Sequence, residues 1–264
     1  MFVDRNNKDT FSQKITPVPQ QRIMDRLDLL MTRKDYVEAE NHLFYWLGEA
    51  ERGHDLPGQL MVCNELIGFY RKTGKKTKAF DAAGKALALL QTSEFDGLTG
   101  TGTTYVNIAT AYSAFKEYEK SLEYFDKARI IYEADPQTPM HLLGGLYNNM
   151  ALSFQALGRF SDAFACYENA LTAMEQVRNG VLEQAITYLN MADALSAEKG
   201  IEQTETQVFY YLDKAYDLLM DESSPRDGYY AFVCEKCAPG FSYYGYFAAA
   251  EELREEARKI YERA

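Results

Sequence analysis

The sequence predicts an all-α fold, an α-solenoid of about six antiparallel helix pairs, and three observations predict it. The first is internal repetition, plainest between Tyr105 to Ala128 and Tyr147 to Ala170. The second is residue size. Within each copy large apolar residues recur at three-to-four spacing while small ones hold fixed places, as two helices need if they are to approach closely along one seam. The third is composition: 47% of the 264 residues are hydrophobic, with 20 Tyr and 15 Phe against only 7 Pro, enough apolar mass for a continuous core and few helix breakers.

The elements follow in order from that register. In the third copy Tyr105, Ile108, Ala109, Tyr112, Ser121, Phe125 and Ala128 run large, large, small, aromatic, small, aromatic, small; in the fourth Tyr147, Met150, Ala151, Phe154, Ala163, Tyr167 and Ala170 do the same. Phe115-Lys116-Glu117-Tyr118 and Leu157-Gly158-Arg159-Phe160 are the turns between their helices. Upstream, Ile23, Leu27, Leu30, Ala39, Leu43 and Trp46 form a first copy turning at Lys34-Asp35-Tyr36. Cys63, Leu66, Ile67, Tyr70, Ala79, Ala83 and Ala86 form a second, turning at Thr73-Gly74-Lys75. Downstream, Tyr188, Met191, Ala192, Leu195, Val208, Leu212 and Ala215 make a fifth, with about four extra residues around Glu198 to Glu205. A more divergent sixth uses Tyr230, Val233, Cys234, Cys237, Ala250 and Ala257. The leading positions 23, 63, 105, 147, 188 and 230 are 40, 42, 42, 41 and 42 residues apart. The expected organisation is an N-terminal extension over 1–18 and a single solenoid over 19–264, with repeats near 20–53, 60–92, 102–134, 144–178, 185–220 and 227–264.

These size patterns resemble the tetratricopeptide repeat superfamily over residues 19–264. The period exceeds that family's usual value of about 34, implying roughly one more turn per helix. HEAT and armadillo repeats share the longer period but fit the small and aromatic positions less well. More narrowly, Leu146 to Phe160 looks like the 42-residue repeats of kinesin light chains and is similar to those of peptide-pheromone receptors of Gram-positive bacteria. The resemblance implies a right-handed superhelix and a non-catalytic protein-binding or peptide-binding scaffold. Because some twenty residues precede the first repeat, the N-terminal regulatory or DNA-binding domain of such receptors is not expected.

A net charge of -11 repels phosphate backbones and anionic leaflets, so neither nucleic acid nor membrane is the expected partner. No apolar run has the length of a signal peptide or a membrane span. Cys63, Cys166, Cys234 and Cys237 are too few and too scattered for a disulfide framework, and a cytoplasmic setting is expected.

In such solenoids the first helix of each pair lines the concave face. The residue two places after each leading position falls there: Asp25, Glu65, Asn107, Asn149, Asn190 and Phe232. An amide carries both donors and an acceptor, so three in register can pair with the backbone of an extended peptide whatever its sequence. The resemblance implies that use for Asn107, Asn149 and Asn190. The competing reading is that they bond between neighbouring hairpins or face water. Around them lie Asn64, Thr103, Val106, Thr110, Asn148, Leu152, Ile186, Leu189 and Asp193, mostly neutral or apolar. Arg71 and Lys72, confined to one repeat, do not supply a clamp for a partner's terminal carboxylate.

Cys234-Glu235-Lys236-Cys237 has a metal-pair or redox-pair spacing, but His42, His54 and His141 are the only histidines and there is no second cysteine pair, so both cysteines are expected to be packing residues. Neither a metal nor a cofactor is expected. The stretch Ala238 to Phe247 is expected to leave the helix at Pro239 as an aromatic loop. It would serve either as a partner-contacting lip built from Phe241, Tyr243, Tyr244 and Tyr246 or as a plug over the end of the core. Gly97 to Gly102 follows no strand and has no phosphate-loop Lys, and the Glu-rich, Arg-rich C-terminal helix reads as a solvated face. No catalytic constellation is expected. The alternative to a binding groove is an assembly module that self-associates, for example as a homo-oligomer, through its aromatic C-terminal end.

Overall fold

The computed structural model describes residues 15–91, 95, 97–222 and 224–263. Among these residues there are twelve α-helices and no strand. The chain forms two compact units, residues 1–96 and 97–264. The first contains α1 (Gln20–Thr32), α2 (Tyr36–Arg52), α3 (Leu56–Lys72) and α4 (Lys76–Leu90). The second contains α5 (Thr99–Ala114), α6 (Tyr118–Ala134), α7 (Met140–Ala156), α8 (Phe160–Glu175), α9 (Val181–Lys199), α10 (Ile201–Met220), α11 (Gly228–Tyr243) and α12 (Phe247–Tyr261). Each odd-numbered helix packs against the helix that follows it, so the sequence reading of paired helices holds in both units.

Five of the six turns inside the pairs are built alike, the α9–α10 junction being the exception. A left-handed residue follows the C-cap at Lys34, Gly74, Lys116, Gly158 and Gly245, with φ between 58° and 84°. The amide after it reaches back five residues, as from Asp35 to Leu30, Lys75 to Tyr70, Glu117 to Tyr112, Arg159 to Phe154 and Tyr246 to Phe241, at 2.8–2.9 Å. This is the Schellman arrangement, which satisfies carbonyls that a helix end otherwise strands.

Packing follows the size register. Ala39, Ala79, Ser121, Ala163 and Ala250 open the seam on the second helices, and Ala109, Ala151, Ala192 and Ala238 do so on the first; all are buried. In the second unit the close approach is visible in polar atoms: Ser121 Oγ lies 3.2 Å from Ser153 Oγ, which donates in turn to Ser113 at 3.3 Å, joining α6, α7 and α5. Between hairpins the rings of Phe125 and Tyr167 are fully buried, each such ring contributing about 2–3 kcal/mol. Tyr hydroxyls add bonds to carboxylates on neighbouring helices, among them Tyr229 to Glu183 and Tyr246 to Asp213, both at 2.8 Å. In the second unit α6 packs on α7 and α8 on α9, while α5, α7, α9 and α11 adjoin in series. The first helices therefore form one continuous face.

In the first unit, the end of the expected N-terminal extension is docked. Val18 is buried and its amide donates to Asp55 at 2.8 Å, while Asp55 also caps α3 through the Gly58 amide. Residues 1–14 of that extension lie outside the described residues.

The four extra residues of the fifth repeat are taken up as helix, with α9 and α10 lengthened to 19 and 20 residues and meeting at Gly200 alone. Two local expectations are corrected. Pro239 does not end α11, which continues to Tyr243. The carbonyl that loses its helical partner there belongs to Glu235, and both residues are exposed, so water can replace the bond. Finally, the sixth repeat is regular rather than divergent. In each of the first four hairpins the leading residue precedes the left-handed turn residue by eleven positions, as 147 precedes 158, and counting back from Gly245 gives Cys234. Cys237, Ala238 and Phe241 then take the places of Met150, Ala151 and Phe154, and the last turn is an ordinary one. Both cysteines are buried packing residues.

Candidate partner-binding face

The face formed by α5, α7, α9 and α11 carries part of the neutral set singled out in the sequence; Ile186 and Leu189 are instead buried in the core, and Asn64 belongs to α3 in the first unit. Asn107, Asn149 and Asn190 are half-buried at one register position on three adjoining helices. Their polar atoms are only partly committed. Asn149 Nδ2 donates to the Gly145 carbonyl of its own helix at 2.9 Å. Asn190 Nδ2 donates to Asn148 Oδ1 at 3.1 Å, a bond between neighbouring hairpins of the kind the competing reading supposed. Asn107 makes no side-chain hydrogen bond among the described residues, though its carbonyl accepts from Thr110 Oγ1 at 2.9 Å. Asn149 Oδ1, Asn190 Oδ1 and Asn148 Nδ2 thus keep capacity for another partner. Val106 is half-buried and Leu152 exposed beside them, so the face alternates apolar surface with amides.

The re-registered sixth repeat changes the far end of this row. The position two places after its leading residue is Lys236, not Phe232. Phe232 is exposed and stacks on Tyr229, with ring centroids 6.3 Å apart. The four-residue aromatic lip also needs correcting. Phe241 is fully buried, packed against the rings of Tyr216 and Tyr246, because it occupies the aromatic place of a regular repeat. Tyr243 is 77% exposed, while Tyr244 and Tyr246 point their hydroxyls at Asp193 and Asp213.

Between α9 and α11 these departures produce a cleft of about 440 Å³ lined by Asp193, Ser196, Ala197, Gly240, Tyr243 and Tyr244. Tyr244 Oη donates to Asp193 Oδ1 at 2.8 Å, and the Tyr243 ring stands nearly perpendicular to that of Tyr244, with centroids 4.9 Å apart. Asp193 is exposed as a residue, yet the cleft walls partly desolvate its carboxyl and hold it above the usual carboxylate range, against the lowering effect of the Tyr244 hydroxyl. Gly240 belongs to this geometry because a Cβ there would come within 2.7 Å of Leu189 Cδ2. Sequence reasoning named Asp193, Tyr243 and Tyr244 separately and missed Ser196 and Gly240. The usable signal was register: with Gly245 as the turn residue, Tyr243 stands where the three preceding repeats carry Ala114, Ala156 and Ala197.

The tetratricopeptide repeat family model matches residues 101–134 and 144–179, the pairs α5–α6 and α7–α8. No curated protein matches the chain. Among solved structures, the nearly identical repeats of a putative kinesin light chain from Podosopora anserina share 16% identity over 78% of this chain and 96% of that chain, with a TM-score of 0.53. BtubC from P. vanneervenii shares 17% over 94% and 92%, with a TM-score of 0.53. NprR, solved in complex with its cognate peptide NprX, shares 15% over 90% and 66%, with a TM-score of 0.58. At these identities the likeness is one of fold.

Proposed function

Because this chain is a tetratricopeptide-type repeat protein, we propose that it is a non-catalytic scaffold whose face of first helices in residues 97–264 holds an extended peptide or partner segment. The observation that carries this reading is the row of half-buried Asn107, Asn149 and Asn190, in register and with amide atoms left over after the bonds they make within the fold. Those atoms suit peptide N–H and C=O groups, while Val106, Thr110 and Leu152 offer contacts that select side chains. The capture of a peptide by NprR on the same fold supports the reading. The net charge of -11 disfavours nucleic acid and anionic membrane as partners, and no helix among the described residues is long and apolar enough to cross a membrane. A cytoplasmic setting accords with four free, buried thiols, of which burial pushes Cys63 and Cys166 up to about 11 and Cys237 to about 12.

The test is an array of N-acetylated, C-amidated hexapeptides probed with the labelled full chain and with its N107A/N149A/N190A variant. Backbone pairing predicts that the variant loses about tenfold or more in affinity across sequences while its helical circular dichroism and melting stay near wild type. Equal retention by both proteins would remove this face as the site. A second reading, self-association through the C-terminal end, is favoured by one observation: Tyr243 and Phe247 flank the last turn at 77% and 70% exposure.

A further inference from the structure

We propose that the cleft between α9 and α11 is a subsite for a lysine or arginine side chain of the bound peptide, with Asp193 as the counter-charge and Tyr243 as the aromatic wall. The inference rests on the groove reading above and adds a side-chain requirement to it. Asp193 lies one turn beyond Asn190 on α9, to one side of the last amide of the row, so a long side chain of a peptide held on that row can reach it. It forms no ion pair among the described residues, and its one side-chain hydrogen bond is from Tyr244 at 2.8 Å.

Three features make the cleft a receptor for a cation rather than a gap. Tyr244 occupies one carboxylate oxygen and leaves the other to accept from a guanidinium or ammonium group. Tyr243, where the preceding repeats of the unit carry Ala, presents an exposed ring beside the carboxylate, and a cation over such a face gains from the ring quadrupole. The volume of about 440 Å³ accommodates a long side chain. The positive charge of an incoming cation would offset the upward shift of the Asp193 carboxyl by favouring its ionised form. Lys236, on the same helix as Tyr243, makes no ion pair with Asp193 among the described residues.

The experiment uses the same hexapeptide array with Lys, Arg, Glu or Ala fixed at each position in turn, probed with the full chain, its D193N variant and its Y243S variant. In D193N the amide oxygen can still accept from Tyr244, so the cleft keeps its shape. Wild type is expected to prefer Lys or Arg at one position, D193N to lose that preference by about tenfold, and Y243S to weaken it. Retained peptides without a basic preference, or a preference unchanged in D193N, would overturn the subsite and leave the groove standing. A preference that appears only in a parallel non-acetylated set would assign the cleft to a terminal ammonium group and equally overturn the proposal. An array on which wild type retains nothing would overturn the groove reading and this one with it.

Discussion

Gly102 and Gly68 have the same chemistry and opposite surroundings. A Cβ on Gly102 would lie 2.4 Å from the Tyr132 ring, which is buried and hydrogen-bonded through its hydroxyl to Thr103 at 2.9 Å, so the ring has nowhere to swing. A Cβ on Gly68, inside α3, meets nothing within 4 Å. Gly102→Ala should therefore destabilise the protein by about 1–3 kcal/mol through overpacking, in spite of the better helix propensity of Ala. Gly68→Ala should stabilise it by up to about 1 kcal/mol. Urea unfolding of both variants checks the pair, and the same sign in both would contradict the close approach of Tyr132 to α5. Residue-scale packing of this kind was only half legible: the small places at 109, 151 and 163 are visible from periodicity, but which glycine faces a ring depends on a partner 30 residues away.

At the scale of the helix pair, the recurrent turn places one residue in the left-handed region, and the repeats differ in how they fill it. Gly74, Gly158 and Gly245 adopt it freely, whereas Lys34 and Lys116 do so with a Cβ, at φ 58° and 65°. For an L-residue that conformation costs about 1–2 kcal/mol, part of which glycine gives back through its larger unfolded-state entropy. Lys116→Gly is thus expected to stabilise the α5–α6 pair by roughly 0.5–1 kcal/mol, and Gly158→Lys to destabilise α7–α8 by a similar amount. Hydrogen-exchange protection of the two pairs reads each change locally. The turns at 34–36, 73–75, 115–118 and 157–160 were readable because Gly and polar residues interrupt a three-to-four apolar period. The aromatic stretch 238–247 misled because Pro and Gly usually mark a break, and here the exposed side of α11 tolerates the missing bond at Glu235.

For the molecule as a whole, the charge of -11 gives the two functional readings opposite salt dependences. Capture of a basic peptide at Asp193 is helped by the field and should weaken as salt screens it. Self-association must overcome the same field and should strengthen with salt. Sedimentation velocity in about 0.05 M and about 0.5 M NaCl, where the Debye length falls from roughly 14 to 4 Å, is expected to show monomer at low salt. A dimer that appears at high salt and is lost in a Y243S/F247S variant would assign assembly to the C-terminal end. Monomer at every salt and protein concentration would retire that reading.

The sequence by itself determined the helix pairs, their order and the turn positions in four of the six. It could do so because helical periodicity and the demand for small residues at a seam are local constraints, repeated often enough to be counted. Tertiary structure alone decided the register of the sixth repeat, the burial of Phe241, the Asn190 to Asn148 bond and the meeting of Asp193 with Tyr244. These depend on which residues 42 or 51 positions apart come within hydrogen-bonding distance. A slip of four residues keeps the apolar period of a helix nearly intact, so only the left-handed turn at Gly245, seen in place, identifies the copy to which the cleft belongs.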